Sequence, residues 1–302
     1  MIKVRQHRTY IIALAMSFIL PGFGQLYNGD LNRAAWLFLC FAFLSVPGVA
    51  LIALYLPGGW MMIALLASLA LTLLIWLYGM ADAWRSARRS LDQLPQAWQV
   101  SGIYMLVLVL CDGLALPLLA SYVRAHQVES FYIPAASMEP SVLKGDFLFA
   151  DKRYGCPGCK QAVKRGDIAI FAYPNDRTVS YIKRVIGLPG DRVQVRGNEV
   201  WVNGKSLKVR EAVDPKGLQV TESAGDGQWQ VTWAPADKHP PEADTTVPAG
   251  QVFVLGDNRD ASIDSRTFGA VPLQDVLGKA RQVWFSYDAS GVRWGRLGKV
   301  LD

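Results

Sequence analysis

The chain has 302 residues, of which 51% are hydrophobic and only 19% charged, with a formal net charge of +6. Soluble domains carry about 25% charged residues, yet residues 34–80 contain no Asp, Glu, Lys or Arg at all. This distribution excludes a disordered chain and a single evenly mixed globule, and it implies a membrane part followed by a water-facing part.

In chain order, four apolar segments come first. Residues 10–27 are near the minimum length for a span and are interrupted by Pro21-Gly22-Phe23-Gly24; residues 34–56 and 60–80 are uncharged and separated only by Pro57-Gly58-Gly59, a tight helical hairpin. Residues 102–123 are long enough to span and carry Asp112, an acid that serves a function, faces a polar groove between helices or is protonated. The loop after the third segment holds Arg85, Arg88 and Arg89 against Asp82 and Asp92, which assigns it to the cytoplasm and sends everything after residue 124 across the membrane. Counting back, a fully spanning first segment would put the N-terminus outside. The Pro-Gly-Phe-Gly break favours a re-entrant hairpin instead. The expected division is a multi-spanning α-helical membrane region, 1–124, and an extracytoplasmic, mostly β domain, 125–302.

The basic balance does not point to nucleic acid, because no helix-turn-helix, zinc-finger or ribonucleoprotein motif accompanies it; Lys and Arg beside apolar spans meet lipid headgroups. His7, His126 and His239 are the only histidines, and no HExxH motif exists, so zinc hydrolysis and a Ser-His-Asp triad lack material. Cys40 and Cys111 lie in apolar runs and read as small buried hydrophobes. Cys156 and Cys159, in Cys-Pro-Gly-Cys, could form a disulfide, half a zinc site or a redox pair; an extracytoplasmic setting favours the disulfide.

After residue 124 the texture becomes short β patterns with turn punctuation. The strands expected are 147–152, 168–173, 179–186, 192–196, 200–202, 228–233, 252–255 and 279–287, with turns at Gly145-Asp146, Gly166-Asp167, Pro189-Gly190-Asp191 and Asn203-Gly204. They suit two packed antiparallel sheets or an irregular barrel. Residues 212–248, rich in Pro, Asp, Thr and Gly, read as a loop-rich insertion with one strand pair.

Three places in this domain carry chemistry. Ser137 sits between Pro134 and Pro140, which stiffen the backbone into a ledge for a hydroxyl. Lys183 shares a strand face with Tyr181 and Val185; if that face packs inward, the amine loses water and its pKa falls, so that it can deprotonate a serine without histidine. Residues 256–266, Gly-Asp-Asn-Arg-Asp-Ala-Ser-Ile-Asp-Ser-Arg, are too polar for a core and suit a loop ordered by Asp–Arg pairing, with Ser262 available to a lysine.

Four ordered segments, Ser137-Met138-Glu139-Pro140-Ser141, Lys164-Arg165-Gly166-Asp167-Ile168, the run from Tyr181-Ile182-Lys183-Arg184 to Pro189-Gly190-Asp191, and residues 256–266, resemble the boxes of the type I signal peptidases. These are membrane-bound serine proteases with a Ser/Lys dyad, and the resemblance spans roughly residues 128–290. It implies Ser137 as nucleophile, Lys183 as general base, Ser262 orienting the lysine, and Asp264 with Arg266 as a supporting pair. It places Ile133, Pro134, Ala135, Ala136, Met138 and Tyr181 around the substrate groove and oxyanion region, and implies neither cofactor nor metal. Signal-peptide-bearing precursors and membrane lipids are the expected partners, at a bacterial inner membrane; the residues do not set an oligomeric state. Two departures stand out. Ala135 occupies a place where the family commonly has Ser or Thr donating to the oxyanion hole, and the membrane region is larger than the family's usual one or two anchors. The alternatives are a processing protease for one substrate, or a weakened membrane assembly factor that keeps the fold.

Overall fold

The computed structural model describes residues 9–89, 96–154, 162–214, 217–225, 227–233 and 241–301. The chain divides into two compact units, residues 1–56 with 61–125, and residues 57–60 with 126–302. Cys156 and Cys159 lie outside the described residues.

In the helical unit the Pro21-Gly22 break turns the chain back on itself. Helix Tyr10–Ile19 ends at an extended Leu20, and helix Phe23–Asn28 follows Gly22, whose φ is +91°. Only glycine fits at Gly22, because a Cβ there would lie 2.3 Å from the Ala34 carbonyl oxygen. The Thr9 N–H donates to the Tyr27 hydroxyl at 3.2 Å, so the two ends of this short hairpin meet. Its inner side carries polar side chains, most of them hydrogen-bonded. Gly24 N–H donates to Ser17 Oγ at 3.1 Å, and buried Gln25 donates to Gly79 O at 2.8 Å and to Asp82 at 3.1 Å. Asn28 donates to Ala83 O at 2.7 Å. Polar groups removed from water are tolerated when bonded in this way.

Three helical stretches are long and apolar enough to cross a membrane: Leu31–Tyr55, Gly59–Arg89 and Ser101–His126. Two contain π-helical turns. Leu44–Gly48 widens around Pro47, which has no N–H to give, and Val109–Ala115 carries Asp112 on an exposed side. Large apolar side chains such as Leu66, Leu69 and Leu74 face outward, the arrangement lipid favours.

The second unit is built from antiparallel sheets. The largest runs in the order Val128–Tyr132, Asp146–Asp151, Val276–Asp288, Ile168–Tyr173, Asp176–Gly187, Gln251–Leu255 and Val271–Pro272, with Gly291–Val292 beside Val276–Asp288. The thirteen-residue strand Val276–Asp288 pairs with Asp146–Asp151 through register shifts at Ala280/Gln282 and Val283/Phe285, bulges that bend it across the sheet. A second sheet orders Ala243–Thr246, Arg192–Arg196, Glu199–Val202 and Lys205–Ser206. The sheets do not close into a barrel. All eight strands expected from the sequence are present.

Residues 212–248 differ from the expected loop-rich insertion with one strand pair. Lys208–Asp214, Gly217–Ala224 and Gly227–Trp233 form a three-stranded antiparallel sheet, and Ala243–Thr246 joins the second sheet. Trp229, Val231 and Trp233 are buried with Val193, Val200 and Phe253, so the segment owns part of a core. A second cluster, with Met138, Val142, Leu148, Ile168 and Val283, lies under the loop that carries Ser137.

Candidate active site

Ser137 belongs to the loop between strands Val128–Tyr132 and Asp146–Asp151. Ile133 N–H donates to Asp146 O at 2.9 Å, and Gly145 N–H to Ile133 O at 2.8 Å, so the neck of the loop is a continuation of the strand ladder. Met138, fully buried, plugs the loop into the core below. Asn258 holds it from the side: its backbone N–H donates to Ser137 O at 3.1 Å, and its Nδ2 donates to Ala136 O at 3.2 Å. Gly256 passes so close that a Cβ would lie 2.5 Å from Ser137 O and 2.2 Å from Ser262 Oγ. Only glycine suits that approach.

Lys183 reaches the serine from strand Asp176–Gly187. The first five residues of that strand are exposed and the last five buried, so Lys183 lies where sheet and loops cover both faces. The side chain is 4% exposed, and Nζ donates to Ser137 Oγ at 2.8 Å. The amine stands 5.3 Å from the centre of the Tyr181 ring, on the shared face expected from strand alternation. Loss of water pulls the Lys183 pKa down to about 8; the carboxylates of Asp264 and Asp257 hold it up, and the Arg266 guanidinium pushes it further down.

Around this pair lie three buried ion pairs. Arg184, the next residue of the strand, projects to the opposite face. It donates from Nε to Asp257 Oδ1 at 2.8 Å and from Nη2 to Asp257 Oδ2 at 2.7 Å. Arg266 pairs with Asp264 through two bonds of 2.8 Å, and Asp264 also accepts from Gly256 N–H at 3.0 Å. Arg259 pairs with Glu222 through two contacts of 2.5 Å. Each cation meets a planar carboxylate edge-on, the geometry that best offsets the loss of water.

A sequence profile described as "Signal peptidase, peptidase S26" matches residues 106–285. Over 200 residues the chain is 34% identical to signal peptidase I of Rickettsia typhi (strain ATCC VR-144 / Wilmington), a match covering 56% of this chain and 76% of the relative. It is 35% identical over 190 residues to signal peptidase I of Pseudomonas fluorescens, covering 54% of this chain and 67% of that one. A crystal structure of a signal peptidase I from Enterococcus faecalis V583 shares 31% sequence identity, covering 39% of this chain and 95% of that one, with a TM-score of 0.27. The chain belongs to the signal peptidase family, peptidase S26.

Within that family the expected site residues fall into three groups. Ser137, Lys183, Asp264 and Arg266 come together as described. Pro134 and Ala135 are exposed on the loop before Ser137, while Ala136 and Tyr181 are half-buried, Tyr181 stacking on Tyr173 at 4.3 Å between ring centres. Ile133 and Met138 differ from groove-lining residues: both side chains are buried in the core cluster under the loop, because each continues the inward-facing side of its segment. The hydrogen bond expected from Ser262 to Lys183 is not formed. Ser262 Oγ is buried without a partner, packed where Gly256 leaves room for it.

Three contributors have no role assigned from the sequence: Asn258 and Gly256 stand there only as members of the polar run 256–266, and Glu222 is not named. Among the described residues, no group of three or more His, Cys, Asp or Glu side chains could hold a metal ion.

Proposed function

We propose that this member of the signal peptidase family cleaves signal peptides from secreted precursors with Ser137 as nucleophile and Lys183, in its neutral form, as general base. The observation that carries the reading is the 2.8 Å contact between a buried lysine amine and the Ser137 hydroxyl. With its proton lost, Nζ offers a lone pair, the contact reverses, and the hydroxyl donates. Ser137 Oγ attacks the carbonyl carbon after a small residue, its proton passes to Nζ, and the C–O bond forms as the carbonyl oxygen becomes an oxyanion. The Ser137 N–H makes no hydrogen bond among the described residues and so is free to hold that oxyanion. Lys183 then gives its proton to the leaving amine, the C–N bond breaks, and water activated by the same amine hydrolyses the acyl-enzyme. The Asp264–Arg266 pair fixes the loop that carries Ser262.

Three apolar helices and the arginines at the end of Gly59–Arg89, Arg85, Arg88 and Arg89, favour a multi-pass bacterial inner-membrane protein whose β unit faces the extracytoplasmic side. In a precursor-cleavage assay with the purified full chain, Ser137→Ala and Lys183→Ala abolish product formation. Cleavage retained by Lys183→Ala would refute the dyad. A reporter joined after residue 124 gives extracytoplasmic activity, and a cytoplasmic signal would overturn the orientation.

A further inference from the structure

We infer that Glu222 is a positioning residue for the cleavage reaction. The inference rests on the dyad reading above and adds to it a group from the three-stranded sheet, well outside the four sequence boxes. Glu222 lies on the middle strand of that sheet, Gly217–Ala224, and is 1% exposed. It receives Arg259 Nη1 and Nη2, each at 2.5 Å, and the Trp229 indole N–H at 2.9 Å, so both carboxylate oxygens are engaged.

Arg259 in turn is held at four points. Its side chain binds Glu222 and donates from Nε to Gly256 O at 3.1 Å; its N–H donates to Thr232 O at 2.9 Å, and its carbonyl accepts from Arg266 Nη2. Thr232 also donates its N–H to Asp257 O at 2.8 Å. The sheet therefore grips residues 257 and 259 on either side of Asn258. Asn258 is the residue that clamps the carbonyls of Ala136 and Ser137. The shortest route from Glu222 to the nucleophile thus runs through Arg259, one peptide bond and Asn258, and passes through no exposed side chain.

The charges argue the same way. Arg184 and Arg266 find their carboxylates, Asp257 and Asp264, within or beside the Gly256 loop. Arg259 finds none there and takes its partner from the insertion. Without Glu222, a guanidinium that cannot shed its proton would sit in the core next to Asn258 and draw the loop towards water. A shift of about 1 Å in a positioned nucleophile costs about 10²-fold in rate.

The test compares Glu222→Gln, the charge-free double variant Glu222→Leu/Arg259→Met, and Ser137→Ala in one precursor-cleavage assay on the full chain, with melting temperatures measured in parallel. Glu222→Gln is expected to lower kcat by about 10²-fold with KM within about twofold, since Glu222 touches no substrate. The double variant, having no stranded charge, is expected to recover the melting temperature while kcat stays low. Recovery of kcat together with stability would reduce Glu222 to charge balance and overturn the inference, as would wild-type kcat in Glu222→Gln. Should both variants fail to fold, Arg259→Lys keeps the charge but loses the two-point grip; a reduced kcat at unchanged KM supports the inference, and wild-type kcat refutes it. Activity in Ser137→Ala would instead strike the dyad reading, whatever the Glu222 variants do.

Discussion

Lys183 and Arg184 are consecutive residues of one strand, both buried, and only Arg184 has a carboxylate in ion-pair contact among the described residues. Alternation sends them to opposite faces. Arg184 meets Asp257 and rests over the Trp229 ring at 5.0 Å, while Lys183 meets a serine hydroxyl. A guanidinium keeps its proton wherever it is placed, whereas an ammonium gives it up when water is removed. The strand therefore holds one cation fixed by an ion pair and one whose amine meets only a hydroxyl.

The first prediction concerns pH. Protonated Lys183 cannot accept the Ser137 proton, so kcat/KM rises with pH and levels off above the lysine pKa, with a midpoint near 8. A profile from pH 6 to 10 on a soluble peptide substrate measures it. A flat profile through that interval would remove Lys183 from the proton transfer.

Burial of this amine also has a cost in stability. The folded pKa of about 8 lies below the ordinary 10.5, so between these values the unfolded chain binds the extra proton and stability rises as pH rises. Below about pH 8 the full penalty is present, roughly 3 kcal/mol. Lys183→Met fills nearly the same volume without the amine. Thermal unfolding in detergent should show it more stable than the parent chain at pH 6.5, by up to about 3 kcal/mol, with the advantage closing towards pH 10.5. Equal stability at pH 6.5 would mean that the amine is solvated.

Much of this arrangement is legible in the residue order. Strand periodicity and Gly/Asp turn signals locate the eight longer-patterned strands, and two-residue alternation alone places Lys183 with Tyr181 and Val185. The insertion was harder to read for a physical reason. Its middle strand points Val220 and Glu222 inward, and a buried acid in an otherwise polar run carries no hydrophobic signal. Ser262 marks another limit: its place beside the site follows from the loop, but the direction of its hydroxyl is a rotamer set by packing against Gly256. Asn258 is the same case, since its two bonds to the nucleophile loop exist only once residues 122 positions apart have met.

Asp264→Asn separates the electrostatic role of the supporting pair from its structural one. The Asp264 carboxylate accepts two bonds from the Arg266 guanidinium, one from the Arg266 N–H and one from Gly256 N–H, and both side chains are 1% exposed or less. The amide leaves a buried guanidinium without its counter-charge, which costs about 3–5 kcal/mol. It also removes a carboxylate that holds the Lys183 pKa up while leaving the Arg266 charge that pushes it down. The surviving activity should therefore have its kcat/KM midpoint below 8. A midpoint unmoved or raised, in protein shown by calorimetry to be folded, would place Asp264 outside the electrostatic environment of the base.

The last prediction tests the departure at Ala135. Among the described residues the Ser137 N–H makes no hydrogen bond, and Ala135, exposed two residues earlier, has no hydroxyl to add to it. One oxyanion donor contributes about 10²–10³ in kcat because it acts on charge that develops only in the transition state. Ala135→Ser introduces the missing group at an exposed position, so folding stability should stay within about 0.5 kcal/mol of the parent. The expected result is a kcat raised by up to about 10²-fold with KM unchanged, because the ground-state carbonyl gains little from the new donor. An unchanged kcat with full stability would mean that the oxyanion is held by a group other than residue 135 and that the alanine is no weakness. A change in KM alone would assign residue 135 to the groove wall instead of the oxyanion hole.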